Sequence, residues 1–348
     1  MSTHIGTTPL RASSTSAGDR LPAASEPGHP GAPVPSAGRT ELVVSTQGLT
    51  KTFGKGTAAR TVVDRLDLAV PRGCVYGFLG PNGSGKSTTM KMLLGLLTPT
   101  AGTTTLFGAP MERRNLGQVM ARTGSMIEQP PGYGHLTGAE NMRVVQRMLG
   151  LSEAQVSRAL ALVRLTEHKD RLVRAYSLGM KQRLGIAMAL AREPELLVLD
   201  EPTNGLDPAG IEEVRSLLVY LAGEGVTVMV SSHLLDEIDK MASVLGILSA
   251  GRMVFQGTRA ELMRRSVPDL LVVTPTPEAV TPGLLAGLCA GGVQVTPRGV
   301  LVPGLSEAEA AEFNRRLVAA GVEVHELRRE AQSLEDVFMD LTGGAGVL

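Results

Sequence analysis

The run Gly80-Pro81-Asn82-Gly83-Ser84-Gly85-Lys86-Ser87 constrains this chain more than any other feature. It satisfies G-x-x-x-x-G-K-[ST] at every fixed position. A buried-strand pattern, Val75-Tyr76-Gly77-Phe78-Leu79, precedes it, and a helical pattern from about Lys86 to Leu97 follows. A strand that turns into a helix through such a loop can curl backbone N–H groups around phosphate oxygens beside the positive end of the helix. Lys86 then reaches the β- and γ-phosphates of a nucleotide, Ser87 offers its hydroxyl to Mg²⁺, and Gly80 to Thr88 form the cradle. A Gly-rich turn that only permits tight packing needs neither the lysine nor the hydroxyl.

A strand ending in two carboxylates completes the pattern. Leu196-Leu197-Val198-Leu199 runs into Asp200-Glu201, and the carboxyl ends of strands in open α/β sheets face the ligand crevice. Asp200 suits Mg²⁺, and Glu201 suits a base that polarises the attacking water.

Strands alternate with helices through most of the chain, which predicts a mainly parallel sheet covered by helices. Short strands are expected at Leu42–Val44, Thr61–Val63 and Leu66–Val70, and again at Val226–Val230. Helices are expected at about Ser177–Arg192 and Ala209–Ala222. Thr137 with Glu140, and Ser152 with Gln155, are capping boxes that start two more, and the second places Val156, Ala159, Leu160 and Val163 on one face. Residues 245–255 read as a hairpin. Beyond Arg264 the strand candidates Leu270–Val273, Val293–Val295, Val300–Val302 and Val322–Leu327 alternate with helical runs at Leu284–Ala290 and Ser306–Ala320. That order suits a ferredoxin-like β-α-β-β-α-β layer, followed by a helix boxed by Ser333 and Asp336. Residues 1–40 are Ser, Thr, Pro, Ala and Gly with few large apolar side chains, a composition that predicts a disordered tail.

Composition narrows the rest. Lys+Arg and Asp+Glu are both 34, so the net charge is zero and a strongly basic nucleic-acid binder is not expected. Two cysteines, Cys74 and Cys289, exclude a disulfide scaffold or a Cys-rich metal site and suit a reducing compartment. The longest tempting uncharged stretch, Ala279–Pro297, carries two prolines and four glycines and is a poor membrane span. No secretory signal is visible at the N-terminus. A cytoplasmic protein is expected, with any spans supplied by another polypeptide.

Four further motifs follow in a telling order. Tyr176-Ser177-Leu178-Gly179-Met180-Lys181-Gln182-Arg183 precedes the acidic strand. Asn204-Gly205-Leu206-Asp207 follows it, His233 ends the next strand after Ser231-Ser232, and Phe53 closes Leu49-Thr50-Lys51-Thr52-Phe53. From about Glu41 to Thr258 the chain resembles the nucleotide-binding subunits of ABC transporters. The resemblance implies an α/β P-loop NTPase of the ABC type, with a mainly parallel core sheet, an antiparallel β subdomain and a helical insert. This domain spans 41–262, and a small C-terminal α+β domain spans 263–348. It also implies ATP and Mg²⁺ as ligands, Phe53 stacked on adenine, and Ser177 and Gly179 meeting the γ-phosphate of a nucleotide held by a partner subunit. Asp207 organises the dimer interface, and His233 acts with Lys86 and Glu201 in catalysis. Val62 reads as a plain strand residue rather than a ribose contact.

Two departures point to a branch. Leu178 and Met180 stand where the usual L-S-G-G-Q signature has Gly and Gln. Glu128, after Arg122-Thr123-Gly124-Ser125-Met126-Ile127, stands where the family has a metal-approaching Gln, with Gln129 one residue later. With Thr137-Gly138-Ala139-Glu140-Asn141 and the closing Ser333-Leu334-Glu335-Asp336-Val337-Phe338, these resemble the bacitracin-resistance and lantibiotic-immunity exporters. The resemblance implies a homodimer or paired ATPase attached to the inner face of the plasma membrane through a separate permease. Glu128 would serve ATP and Mg²⁺ in place of the Gln. The rival is a non-transport ABC ATPase acting on ribosome or nucleic acid. The family's translation-factor relatives normally carry two such domains and a charged linker, which this chain lacks.

Overall fold

The computed structural model describes residues 41–265, 268–288, 292–302, 304–330 and 332–342. The tail expected at 1–40 and Cys289 lie outside them. Strand β1 (Leu42–Phe53) runs far beyond its apolar start, because β-branched Thr46, Thr50 and Thr52 carry it onward between neighbours on both sides. The expected strand at Leu66–Val70 is split into β2 (Arg60–Leu66) and β3 (Ala69–Pro71). At the break the Asp67 carboxylate accepts from the Gly48 N–H at 2.7 Å, and the Leu68 N–H turns to the Thr46 hydroxyl at 2.9 Å. After β4 (Val75–Leu79), helix α1 (Lys86–Leu93) stops short of Leu97. Gly95 takes φ +69°, and the N–H groups of Leu96 and Leu97 both return to the Lys91 carbonyl, which closes the helix. Strands β5 (Ala101–Leu106) and β6 (Ala109–Pro110) complete an antiparallel sheet of order β2-β1-β5-β6, with β3 also on β1.

The middle of the chain supplies α2 (Leu116–Ala121), β7 (Thr123–Met126), α3 (Gly138–Leu149), α4 (Glu153–Leu162), α5 (Leu178–Leu190) and β8 (Leu196–Asp200). Then come α6 (Pro208–Gly223), β9 (Thr227–Ser232), α7 (Leu235–Asp239), β10 (Val244–Ser249) and β11 (Arg252–Gly257). Both capping boxes form, at Thr137–Glu140 and Ser152–Gln155. The central sheet has the order β11-β10-β4-β9-β8-β7, parallel throughout except for the β10–β11 hairpin.

This sheet is buried on both faces, and the pleat divides its side chains between two cores. Leu197, Leu199, Val228 and Val230 face one core with α4–α7. Leu196, Val198, Met229, Tyr76 and Phe78 face the other, with α1 and the antiparallel sheet. By the same alternation Asp200 and Ser231 point to the α1 side, where the phosphate-loop helix lies. Cys74 at the start of β4 is chemically quiet. Burial pushes its thiol up to about 12, and it donates to the Pro71 carbonyl at 3.1 Å.

Beyond α8 (Arg259–Arg265) a third sheet forms from β12 (Asp269–Val273), β13 (Gln294–Thr296) and β14 (Gly299–Val302), then α9 (Glu307–Ala319) and β15 (Glu326–Glu330). Its order, β13-β14-β12-β15 with antiparallel neighbours, is that of a ferredoxin-like layer. Over the described residues 284–288 the first expected helix of that layer does not form, and the rest of its expected span lies outside the described residues. Pro277–Ala279 and Pro282–Leu285 are short 3-10 turns, and Gly287 at φ +77° follows, so prolines and glycines defeat the apolar run. The last strand starts at Glu326 rather than Val322, whose side chain instead fills the core beneath α9. Helix α10 (Leu334–Thr342) begins at its Ser333–Asp336 box, then leaves this sheet. Its Leu334, Val337 and Phe338 enter the core on the α4–α7 face of the central sheet, against α7, α8, β10 and β11.

Candidate active site

Strands β4, β8 and β9 are parallel neighbours, so their carboxyl ends share one edge of the sheet, and each delivers one part of the site. After β4 comes the Gly80–Ser87 loop. Its glycines are required by space. A Cβ on Gly80 would lie 2.3 Å from the Leu248 carbonyl oxygen, and one on Gly85, at φ +108°, would lie 2.8 Å from that of Val62. Gly80→Ala is therefore expected to destabilise the fold by about 1–3 kcal/mol. A lowered urea midpoint measures this, and an unchanged one would mean the β10 carbonyl can yield.

Lys86 is 6% exposed. Its ammonium donates to the Gly80 carbonyl at 2.7 Å and lies 3.4 Å from Glu201 Oε1. Glu201 Oε2 in turn meets His233 Nδ1 at 2.6 Å. The structure thus joins the three residues expected to act in catalysis into one chain of contacts, Lys86–Glu201–His233. Glu201 adopts φ +48°, a conformation that a residue with a Cβ tolerates only when its surroundings impose it. Its N–H donates to Ser231 Oγ at 3.0 Å, and that hydroxyl donates to Asp200 Oδ1 at 2.6 Å. Ser231 therefore holds the Asp200 carboxylate and the backbone of Glu201 together, and reading the sequence alone missed it. Its signal was positional, for it stands opposite Asp200 in the β8–β9 register.

The cleft beside the loop, of about 150 Å³, is lined by Val62, Asn82, Gly83, Gly85, Lys86, Ser87, Thr88 and Glu201. Val62 is thus part of the cleft wall, beyond the plain strand role expected of it. The donor set fits a triphosphate. A buried ammonium and the first turn of α1 supply positive charge, and the buried Ser84 hydroxyl has no partner among the described residues. The metal side fits Mg²⁺ as well. Asp200 is 4% exposed, and its Oδ2 has no hydrogen-bond donor among the described residues. No cluster of three or more His, Cys, Asp or Glu suited to a metal occurs among the described residues. Mg²⁺ usually relies on few protein ligands together with the phosphates.

Ser177 and Gly179 lie elsewhere. Ser177 caps α5, accepting from the Met180 N–H at 3.2 Å, and Asp207 caps α6, accepting from Gly210 at 3.1 Å. Together with Gly179, Leu206 and the Arg183–Glu213 ion pair they line a groove of about 410 Å³. It shares no lining residue with the phosphate cleft. Phe53 is 43% exposed at the end of β1, with Lys51 Nζ 5.2 Å from its ring centre. Glu128 sits at φ +69° and is ion-paired to Lys91 of α1. It is not among the cleft-lining residues.

The sequence profile described as ABC transporter matches residues 63–204. The bacitracin transport ATP-binding protein BcrA of Enterococcus faecalis is 39% identical over 88% of this chain and 98% of its own length. The chain belongs to the ABC transporter family. The lantibiotic transport ATP-binding protein SrtF of Streptococcus pyogenes is 44% identical over 62% of this ABC transporter chain and 90% of its own. Among solved structures, cbiO1 from Clostridium perfringens superposes with TM-score 0.59 at 27% identity, covering 65% of this chain and 92% of that one. The branch expected from Glu128, Leu178 and Met180 is the one these relatives occupy, and the P-loop fold of the ABC type is the fold observed. This ABC protein is an ATP-binding, ATP-hydrolysing transporter subunit. Among the described residues no helix is long and apolar enough to cross a membrane.

Proposed function

We propose that the chain powers export of a peptide antibiotic or another drug through a separate integral-membrane permease, to which it attaches at the inner face of the plasma membrane. The observation that carries the hydrolytic part is the Lys86–Glu201–His233 chain of contacts at one sheet edge. The cargo class rests on relatives whose names specify bacitracin, lantibiotic and daunorubicin/doxorubicin.

Two copies sandwich two nucleotides, each between residues 80–87 of one subunit and the Ser177–Gly179 turn of the other. Two separate grooves on one chain, neither enclosing a ligand by itself, support that reading. Ser87 and Asp200 would hold Mg²⁺, which when bound neutralises charge on the phosphates as a Lewis acid. Glu201 accepts hydrogen-bond donation from the attacking water and increases its nucleophilicity. His233, fixed by Glu201, and Lys86 place positive or donor groups where the transferred phosphoryl gathers charge. Phe53 stacks on the base, and Asp207 presents the α6 end to the partner. Co-expression with a permease of about six spans from the neighbouring reading frame, followed by growth on bacitracin, tests the transport role, and a neighbouring frame that encodes no such permease counts against it. Resistance requiring both genes supports it, and resistance unaffected by losing this chain sinks it.

Glu128 takes the place of the family's Gln, and its pairing with Lys91 offsets the extra negative charge near the phosphates. Glu128→Ala is expected to lower Mg²⁺-dependent turnover and transport, Glu128→Gln to retain part of both, and Gln129→Ala to be mild. If Gln129→Ala is damaging while Glu128→Ala matches wild type, the loop register is off by one residue.

A further inference from the structure

Glu237 is a buried carboxylate that no part of the mechanism so far uses. It sits in α7, 9% exposed, and its Oε2 accepts from the Thr203 hydroxyl at 2.5 Å and the Ser232 hydroxyl at 3.4 Å. Thr203 and Ser232 are themselves buried, at 4% and 2% exposure. They serve different loops, Ser232 as the last residue of β9, where the His233 loop begins. Thr203 is part of the turn between Glu201 and Asp207, where the Asn204 N–H returns to the Glu201 carbonyl at 3.2 Å and the Leu206 N–H to the Thr203 carbonyl at 3.1 Å. Ser232 directly precedes His233, and its hydroxyl accepts from the Leu234 N–H at 2.9 Å.

From this geometry we infer that Glu237 is a positioning residue for hydrolysis. One carboxylate oxygen ties the Glu201–Asp207 loop to the His233 loop and so keeps His233 Nδ1 at 2.6 Å from Glu201. Burying a carboxylate is costly, and an apolar side chain would fill α7's inner face without that cost. What an apolar side chain cannot supply is an acceptor for two buried hydroxyl groups on two loops. Removing it leaves both hydroxyl protons without that acceptor and lets the loops move independently. The loops carry the base and its histidine, so a small displacement falls on the chemical step rather than on the phosphate cradle of residues 80–88, which neither loop carries.

This inference rests on the roles given to Glu201 and His233, and its test separates the two readings. The full chain is assayed for kcat and KM of ATP hydrolysis, for affinity toward a fluorescent ATP analogue, and for melting temperature. Glu237→Ala is expected to lower kcat about ten- to hundredfold while nucleotide affinity stays within about twofold of wild type. Glu237→Gln should recover most of the rate, because its amide oxygen accepts the same two protons. Thr203→Val, which preserves shape and removes one donor, should lower kcat in the same direction, and the double change Thr203→Val/Glu237→Ala should be no worse than Glu237→Ala alone. Wild-type kcat in folded Glu237→Ala overturns the inference. So does a loss of affinity and melting temperature in proportion to the loss of rate. If Glu237→Ala fails to fold, Thr203→Val decides, and a normal kcat there overturns it equally. Absence of turnover in the wild-type chain would overturn instead the hydrolytic reading beneath it.

Discussion

Glu201→Gln is expected to bind ATP with near-normal affinity and to hydrolyse it about a hundredfold or more slowly, the loss anticipated for removing a positioned base. The amide is nearly isosteric with the carboxylate, so the strained φ +48° and the N–H bond to Ser231 are retained. What disappears is the negative charge that faces Lys86 at 3.4 Å and His233 at 2.6 Å. ATP that is bound and not cleaved should hold two copies together. Size-exclusion chromatography with Mg²⁺ and ATP reads this as elution at twice the mass of the nucleotide-free chain. Turnover close to wild type would remove Glu201 from the role of base and leave the Lys86–Glu201–His233 contacts without a chemical purpose.

Lys86→Ala is expected to act one step earlier, on binding itself. The ammonium is almost fully buried and held by the Gly80 carbonyl, so it reaches the phosphates as a fixed charge with little left to order. A charge-assisted contact of that kind contributes roughly 1.5–3 kcal/mol, or about ten- to a hundredfold in affinity. Equilibrium titration with a fluorescent ATP analogue measures it. Unchanged affinity would mean that the loop does not cradle phosphate as described. Together the two variants dissociate binding from turnover: one loses the ligand, the other keeps it unspent.

The parts of the site that follow one another along the chain were legible in the sequence. The phosphate loop follows a strand and opens a helix, and Asp200-Glu201 ends a run of four apolar residues. Local order alone places both at the carboxyl edge of a parallel sheet. Contacts that depend on strand register were not legible. Ser231 reaches Asp200 only because β8 and β9 align them, and Glu237 reaches Thr203 only because α7 folds back beneath the loop after β8. Glu128 stood out only as a departure from the Gln of the family that the chain resembles, and its partner Lys91 sits on another element with no spacing rule linking the two. In the fold, the alternation of β4, β8 and β9 between two cores was readable as near-continuous apolar runs. The length of β1 was not, since threonines and a glutamine carry it on the strength of its neighbours. The run Leu284–Ala290 misled, over its described residues 284–288, for the opposite reason. Its apolar residues suit a helix, yet Pro282, Gly283 and Gly287 shape the backbone there.

Helix α10 has a consequence for how the protein is made. Leu334, Val337 and Phe338 are among the last described residues, yet they complete the core of a domain whose other parts emerge from the ribosome much earlier. During synthesis α7, α8, β10 and β11 are therefore made well before this apolar wedge arrives. Until then α7, α8 and the β10–β11 hairpin have an uncovered flank. A premature stop codon that spared every motif of the active site, yet fell before Leu334, would still leave that flank bare. Quality control acting on exposed apolar surface could then remove a chain whose catalytic residues were all intact.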